Sequence, residues 1–257
     1  MKLYLHIGMP RAASTYIQNV IYKLSVDDPN SIGLLPHFGK RARLLKVVYE
    51  EYENVKNRGY IVNNKNLNTK KNYYLYKEKL TESIKKNLTR SNNFFVSEET
   101  LFFIKKEEIQ KIQKFFQDLE CEVILCIMKR DINDFIKSAY KHRVALTNYD
   151  KNLDAFSETF LQNNSSDING VIKLWEETTN WETRVFHFND FKNNNSKVFK
   201  ELFDLEPKFD LNFILNASLK KETIKIKLMI NKILTQSKTN ISADEHTKIS
   251  HSINNLL

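Results

Sequence analysis

The segment from Gly8 to Thr15 (GMPRAAST) has the residue types and the position of a phosphate-binding loop. It follows a short apolar run, Lys2–Ile7, and precedes apolar residues at helical spacing, which predicts a strand, a loop and then a helix. A loop in that position presents unpaired backbone N–H groups and the positive end of the helix dipole to an anion. The segment therefore predicts a site for phosphate or a similar anion.

The side chains of this loop support the same interpretation. Ala12 and Ala13 are small and let the backbone approach an anion, while the hydroxyls of Ser14 and Thr15 can donate hydrogen bonds. Arg11 adds a fixed positive charge with bidentate capacity. Compared with the ATP-binding pattern G-x-x-x-x-G-K-[ST], Ala13 replaces the second Gly and Ser14 replaces the Lys, which argues against a site that hydrolyses Mg-ATP. An ordinary helix start capped by Ser14 is the alternative.

A second candidate anion site follows the most apolar run of the chain, Glu122–Met128 (EVILCIM). Arg130 comes directly after this predicted strand, and Ser138 lies eight residues further on, in the predicted helix. Eight residues are close to two helical turns, so Ser138 can face the same point as Arg130. Together they could bind a second phosphate, or Arg130 could cap a helix and Ser138 could be incidental.

These segments lie on a pattern of alternating strands and helices. Further strands are predicted at Phe94–Val96, Thr183–Phe188 and, as a short one, Tyr60–Val62, and the intervening helices include 106–118 and a long helix ending at Val144. The alternation predicts an α/β fold, with a central, mostly parallel sheet flanked by helices on both faces. In such sheets ligands bind beyond the carboxyl ends of the strands. One domain is expected over residues 1–257, with a helical insertion at about 26–93 and a helical C-terminal region at about 217–257.

The charge and the cysteine content restrict the setting of the protein. The net charge of +9 favours an anionic partner, although an abundance of Lys and Asn also accounts for it. Cys121 and Cys126 are predicted on one strand with opposite orientations, which favours unpaired thiols and a reducing compartment. No signal peptide is apparent, and no stretch approaches the roughly 18–20 apolar residues of a transmembrane helix. We therefore expect a cytoplasmic protein without a transmembrane segment.

Taken together, the two segments resemble the sulfotransferases that use PAPS (3′-phosphoadenosine 5′-phosphosulfate), and in particular bacterial members related to the carbohydrate sulfotransferases. Those proteins begin with a strand, then H-I-G, then P-K-x-G-T-T/S-x-L-Q, and residues 5–18 of this chain are LHIGMPRAASTYIQ. The spacing of Arg130 and Ser138 matches the R-x7-S of the family. Leu215–Leu219 (LNASL) resembles the N-x-S-L that precedes its last helices. The family has a P-loop-like three-layer fold, which the resemblance extends to this chain.

The resemblance implies a function and roles for the two segments. The chain would transfer a sulfuryl group from PAPS, leaving PAP, to a hydroxyl or amine of an acceptor, most simply a saccharide or glycolipid. The loop from Arg11 to Thr15, with Tyr16, would bind the 5′-phosphosulfate, and Arg130 with Ser138 would bind the 3′-phosphate. The chain departs from the family at Arg11, where the family has Lys, and at Ala13, where it has Gly.

Sulfuryl transfer needs positive charge around the transferring group and a base for the acceptor, and it requires no metal ion. Arg11 and the loop amides would supply the positive field. Glu98 follows a predicted strand and matches the Ser-Glu segment of the family, so it is the first candidate for the base. His6 is the second candidate and His142 a weaker one.

Two other classes of function remain open at the level of the sequence. A P-loop kinase or nucleotide hydrolase would bind Mg-ATP, but the lysine that such sites use is missing. A non-catalytic protein that binds a polyanion would show affinity that falls steeply with salt and would have no stoichiometric nucleotide site. No nucleic-acid-binding module is recognisable, and the basic residues are dispersed along the chain, so nucleic acid is not expected as a partner.

Overall fold

Five parallel strands form the sheet in the part of the chain that the computed structural model describes, which is every residue except 10, 36–41, 43, 63, 89–90, 164–166, 195, 208–219 and 257. The strands are β1 (Lys2–His6), β2 (Gly33–Leu34), β3 (Asn93–Ser97), β4 (Glu122–Lys129) and β5 (Glu182–His187). Their order in the sheet is β2-β3-β1-β4-β5, and every pairing is parallel. The α/β fold with a parallel sheet is therefore confirmed.

The central strand β1 is paired on both edges. His6 lies opposite Ser97 of β3 and opposite Cys126 of β4. From Leu3 to His6 every side chain of β1 is buried, and so is every side chain of β4 from Val123 to Met128. Because successive side chains of a strand point to opposite faces, both faces of the sheet are covered.

The helices alternate with the strands, as expected. They are α1 (Ser14–Asp27), α2 (Leu45–Tyr49), α3 (Tyr52–Val55), α4 (Gly59–Val62), α5 (Lys70–Asn87), α6 (Lys106–Gln117), α7 (Ile132–Leu146), α8 (Leu153–Asn163), α9 (Ile168–Thr179), α10 (Phe188–Asn193), α11 (Lys197–Phe203), α12 (Lys221–Gln236) and α13 (Ala243–Leu256), with a short 3-10 helix at Glu99–Leu101. None of the helices in the described ranges is both long and apolar enough to cross a membrane.

The strand predicted at Tyr60–Val62 is wrong, because these residues belong to the short helix α4. The backbone N–H groups of Ile61 and Val62 both donate to the carbonyl of Arg58, so local helical hydrogen bonds replace a ladder. In the sheet, the strand next to β3 is instead β2, with only two residues.

Along its outer edge, β3 is paired partly with the short strand β2 and partly with a residue outside any strand. Strand β2 pairs only with Phe94 and Phe95 of β3. Two residues further along β3, the carbonyl of Ser97 accepts a hydrogen bond of 2.7 Å from the backbone N–H of Ala42. The backbone of β3 is thus satisfied beyond the end of β2 by a residue outside any strand.

The chain divides into two compact units, one comprising residues 1–129 and 169–211 and the other residues 130–168 and 212–257. The first unit contains the whole sheet. The earlier prediction of one sulfotransferase-like domain over the full chain stays a prediction.

The second unit has a core of Tyr140, Val144 and Ile224, flanked by Tyr149, Leu153, Phe156 and Leu228. A buried polar network lies beside it. Lys227 Nζ donates to Asn231 Oδ1 and to His246 Nδ1, each at 2.6 Å, and Asn231 Nδ2 donates to the carbonyls of Val144 and Tyr149. Burial lowers the pKa of Lys227 to about 8. The network fixes α12 against α7 and α13 through directional contacts.

Candidate functional site

The loop after β1 leaves the carboxyl end of the central strand and is held against β4. The backbone N–H of Ile7 donates to the carbonyl of Cys126, and that of Met9 donates to the carbonyl of Met128. These bonds extend the ladder two residues beyond the last regular pair. The start of the loop is therefore fixed by the sheet itself.

Gly8 occupies a position where no side chain fits. A Cβ atom at Gly8 would lie 2.6 Å from His6 Nε2 and 3.2 Å from the Cβ of Met128. Real Cβ atoms do not approach other heavy atoms at the first of these distances, so the loop passes over the imidazole only because residue 8 is glycine. The His-x-Gly spacing in the sequence thus has a steric cause.

The loop reaches α1 through two residues in the left-handed region. Arg11 has φ of 66° and Ala13 has φ of 60°. Glycine adopts this conformation at little cost, whereas an L-residue with a Cβ pays roughly 1–2 kcal/mol. Ala13 therefore has a backbone conformation that glycine adopts more readily. At the position where the sequence has Ala13 in place of a glycine, the backbone is in the left-handed region, and the cost of the alanine is strain.

The first turn of α1 is open to an anion. Ala13 is its N-cap residue, and no side chain of the described residues caps the helix. Ser14 is buried, and its Oγ makes no hydrogen bond within the described part of the chain. Thr15 is exposed in the same turn. Uncapped amides, a buried hydroxyl and an exposed hydroxyl together form a site suited to a tetrahedral anion.

The other loop positions differ in what they can offer. The backbone N–H of Ala12 donates to the carbonyl of Met9, so this amide is already engaged. The ring of Tyr16 is buried and packs edge-on against Phe191, with ring centroids 5.2 Å apart. Tyr16 therefore belongs to the core through its ring and to the candidate site only through its backbone.

Arg11 is exposed beside this turn and interacts electrostatically with Glu99. Partial desolvation lowers the pKa of Arg11, and the Glu99 carboxylate opposes that shift. An arginine stays protonated at any physiological pH, so the loop keeps its positive charge. Glu99, which follows β3, was not predicted from the sequence as a partner of Arg11.

His6 lies under the loop in a buried chain of hydrogen bonds. Gln18 Nε2 donates to Ser97 Oγ at 2.9 Å, and Ser97 Oγ lies 2.9 Å from His6 Nδ1. While it accepts from Gln18, Ser97 Oγ can donate to His6 Nδ1 or accept from it, so one hydrogen bond joins the two side chains in either tautomer of the ring. Burial lowers the pKa of His6 to about 3, so the ring is neutral. Nε2 makes no hydrogen bond within the described part of the chain, and the role of His6 as a base stays a prediction.

Glu98 is the buried residue that follows β3. Its backbone N–H donates to the carbonyl of His6, which places it at the same end of the sheet as the loop. Its Oε1 accepts from the backbone N–H of Thr100 at 3.1 Å and from Thr100 Oγ1 at 2.7 Å, which caps the short helix Glu99–Leu101. The carboxylate is therefore held in one orientation.

Arg130 and Ser138 belong to the second unit. Arg130 comes one residue after β4, and both residues are half-buried. Between them α7 starts at a strong cap, where Asp131 Oδ1 accepts from the backbone N–H groups of Asn133 and Asp134. Ser138 lies on α7, as predicted, and so does the exposed His142. The assignment of the 3′-phosphate to this pair stays a prediction.

Some predicted features lie outside what can be described. Leu215–Leu219 falls within the undescribed residues 208–219. Within the described ranges, no group of three or more His, Cys, Asp or Glu side chains is arranged to hold a metal ion. Gln18 was missed as a member of the loop support, because only the pairing of β1 with β3 brings Ser97 to His6.

Comparison with known proteins gives weak similarities only. The sequence matches no protein-family model and no curated protein. A crystal structure of a sulfotransferase from Alicyclobacillus acidocaldarius is 11% identical with a TM-score of 0.49, over 94% of this chain and 98% of that one. Mouse sulfotransferase SULT7A1 complexed with PAP is 14% identical with a TM-score of 0.42, over 94% and 68%. The PezAT toxin-antitoxin system of Streptococcus pneumoniae gives 12% and 0.33, over 92% and 85%. These values are too low to assign the chain to a family.

Replacing Ala13 by Gly should stabilise the protein. Glycine removes the left-handed strain of roughly 1–2 kcal/mol but gives the unfolded chain about 0.4–1 kcal/mol of additional entropy, so a net gain of roughly 0.5–1 kcal/mol is expected. Urea unfolding measures it. Ala12→Gly is the matched control. Ala12 is buried and has no positive φ, so this variant should be less stable than the wild type. A destabilised Ala13→Gly variant would contradict the left-handed assignment.

The burial of His6 predicts a dependence of stability on pH. Its pKa is about 3 in the folded protein and about 6.5 in an unfolded chain, so the unfolded state binds more protons between these values. The free energy of unfolding should therefore fall as the pH decreases through this range, by on the order of 2 kcal/mol near pH 5.

His6→Gln should remove this contribution, because the amide can still bond to Ser97 and does not titrate. Urea unfolding of both proteins between about pH 8 and 5 measures the difference. His251→Gln, at an exposed position of α13, controls for the loss of a histidine as such. Parallel pH curves for the wild type and His6→Gln would show that His6 is not buried as a neutral ring.

Proposed function

We propose that the protein is a sulfotransferase that uses PAPS as its sulfuryl donor. The observation that carries the proposal is the uncapped first turn of α1 at the carboxyl end of the central strand, with the unbonded hydroxyl of Ser14 and the charge of Arg11 beside it. An anion bound there would accept from the amides of Ser14, Thr15 and Tyr16. The resemblance of residues 5–18 to the sulfotransferase loop names that anion as the 5′-phosphosulfate.

The reaction would need only groups of this chain around the donor. An acceptor oxygen attacks the sulfur in line, the new S–O bond forms, and the bond from sulfur to the 5′-phosphate oxygen breaks with its electron pair leaving on PAP. Arg11 and the helix amides stabilise the charge that grows on the bridging and equatorial oxygens. No metal ion is required in this proposal, since the loop already supplies the positive field.

Glu98 is proposed as the base that takes the proton of the acceptor. It follows β3 at the end of the sheet where the loop lies, and Thr100 holds its carboxylate in one orientation. A base held in this way loses little entropy when the acceptor arrives. His6 is proposed to support the loop from below, since Ser97 occupies its Nδ1.

Arg130 and Ser138 are proposed to bind the 3′-phosphate of the donor. Their eight-residue spacing across the start of α7 allows both side chains to reach one phosphate. The guanidinium can bind two phosphate oxygens, and the serine hydroxyl can donate to a third. The acceptor is proposed to be a hydroxylated compound such as a saccharide or glycolipid.

The nucleotide preference tests the donor assignment. PAP should raise the melting temperature more than AMP or Mg-ATP does, because only PAP carries the 3′-phosphate. Ser138→Ala should weaken PAP binding roughly tenfold and leave AMP binding unchanged, as expected for the loss of one hydrogen bond to a charged group. Ser157→Ala, on α8 of the same unit, is the matched control. Equal stabilisation by all three nucleotides would overturn the proposal.

Glu98→Gln should abolish sulfuryl transfer while PAP still binds. The Gln amide oxygen can keep the hydrogen bonds from Thr100, so the short helix keeps its cap while the proton acceptor is lost. The expected loss of turnover is on the order of 100-fold or more. Thr100→Ala is the control, because it weakens the cap and keeps the carboxylate. If Thr100→Ala lost as much activity as Glu98→Gln, the role of Glu98 would be structural.

A further inference from the structure

Helix α12 has three polar residues among its buried side chains and three apolar residues among its exposed ones. Thr223, Lys227 and Asn231 are fully buried. Ile226, Met229 and Ile233 are 37%, 67% and 63% exposed. The three exposed residues follow a helical spacing of three and four, so they form one stripe, which we call the α12 stripe. Ile224 and Leu228 of the same helix pack in the core of the second unit, so the stripe is additional apolar surface on the side where a surface helix is usually polar.

The rotation of α12 is fixed by its polar contacts. Lys227 bonds to His246 of α13, Asn231 bonds to the carbonyl of Val144 in α7, and Thr223 Oγ1 donates to Asn254 Oδ1 at 3.1 Å. Turning the helix to bury the α12 stripe would break these bonds and leave buried polar groups unsatisfied. The exposure of the stripe is therefore built into the second unit.

Positive charge accompanies the α12 stripe. Lys221, Lys225 and Lys232 of the same helix are exposed, and its one carboxylate, Glu222, lies one turn before Ile226 on the face of the stripe. At about 100° of rotation per residue, Lys225 and Lys232 lie along one border of the stripe. Long lysine side chains at such a border can place their ammonium groups in water while their stems cover apolar surface.

We propose that the α12 stripe docks on an anionic lipid surface, with its aliphatic side chains in the acyl boundary and its lysines at the headgroups. An exposed aliphatic face bordered by lysines is the pattern of helices that lie in a membrane interface. A second copy of the chain would bring the same lysines together. Protein interfaces are enriched in aromatic residues, Met and Arg and depleted in Lys. The stripe shares only Met229 with that composition, since it has no aromatic residue and no Arg and lysines lie along its border.

Co-sedimentation with lipid vesicles tests this proposal independently of sulfuryl transfer. The full chain should bind vesicles made of equal parts phosphatidylcholine and phosphatidylglycerol and should not bind vesicles of phosphatidylcholine alone. Ile226→Ser, Met229→Ser and Ile233→Ser combined should reduce binding at least tenfold. Lys221→Gln, Lys225→Gln and Lys232→Gln combined should reduce it by about fivefold per lysine.

The matched control combines Val26→Ser, Val62→Ser and Leu75→Ser, three exposed apolar positions in the first unit, and it should bind like the wild type. The circular dichroism spectrum of each variant should match that of the wild type, because all the changed side chains are exposed. Equal binding by the wild type and the α12 variants would overturn the proposal. A concentration-dependent dimer that the Ser variants abolish would overturn it in favour of a second copy.

Discussion

The candidate site depends first on the lack of space above His6, where the chain leaves the central strand. Strand β1 is paired on both edges and buried on both faces, so its end cannot shift to make room for a side chain. A Cβ atom added at residue 8 would lie only 2.6 Å from His6 Nε2, so residue 8 has to be glycine. The path of the loop from β1 toward α1 is therefore restricted by this packing.

The second support of the candidate site is polar. His6, Ser97 and Gln18 connect β1, β3 and α1 beneath the loop through a buried chain of hydrogen bonds. These bonds fix the position of the imidazole beneath the loop in either tautomer. This rigid support beneath the loop holds Arg11 and Ala13 in the left-handed region. The surroundings thus impose a backbone conformation that residues with a Cβ atom disfavour.

Much of the fold could be predicted from the sequence, because β1 and β4 are apolar runs too short for helices and are followed by helical spacing. The order of the strands could not, and with it the contact of His6 with Ser97 and the place of Gln18 were missed. Tyr60–Val62 has the composition of a strand but forms a helix, in which the backbone N–H groups of Ile61 and Val62 donate to the carbonyl of Arg58. The loop residues were predicted from their types, while the left-handed conformation of Arg11 and Ala13 depends on packing that no short pattern contains.

The β2 edge of the sheet determines how much unpaired strand backbone is available to another protein chain. An open strand edge is a template on which another chain can add a strand, and natural proteins shorten or cover such edges. Here β2 is two residues long. The backbone N–H of Ala42 donates to the carbonyl of Ser97, which would otherwise be open to another strand. This edge of the sheet, beside the candidate site, therefore offers little open backbone on which another chain could add a strand.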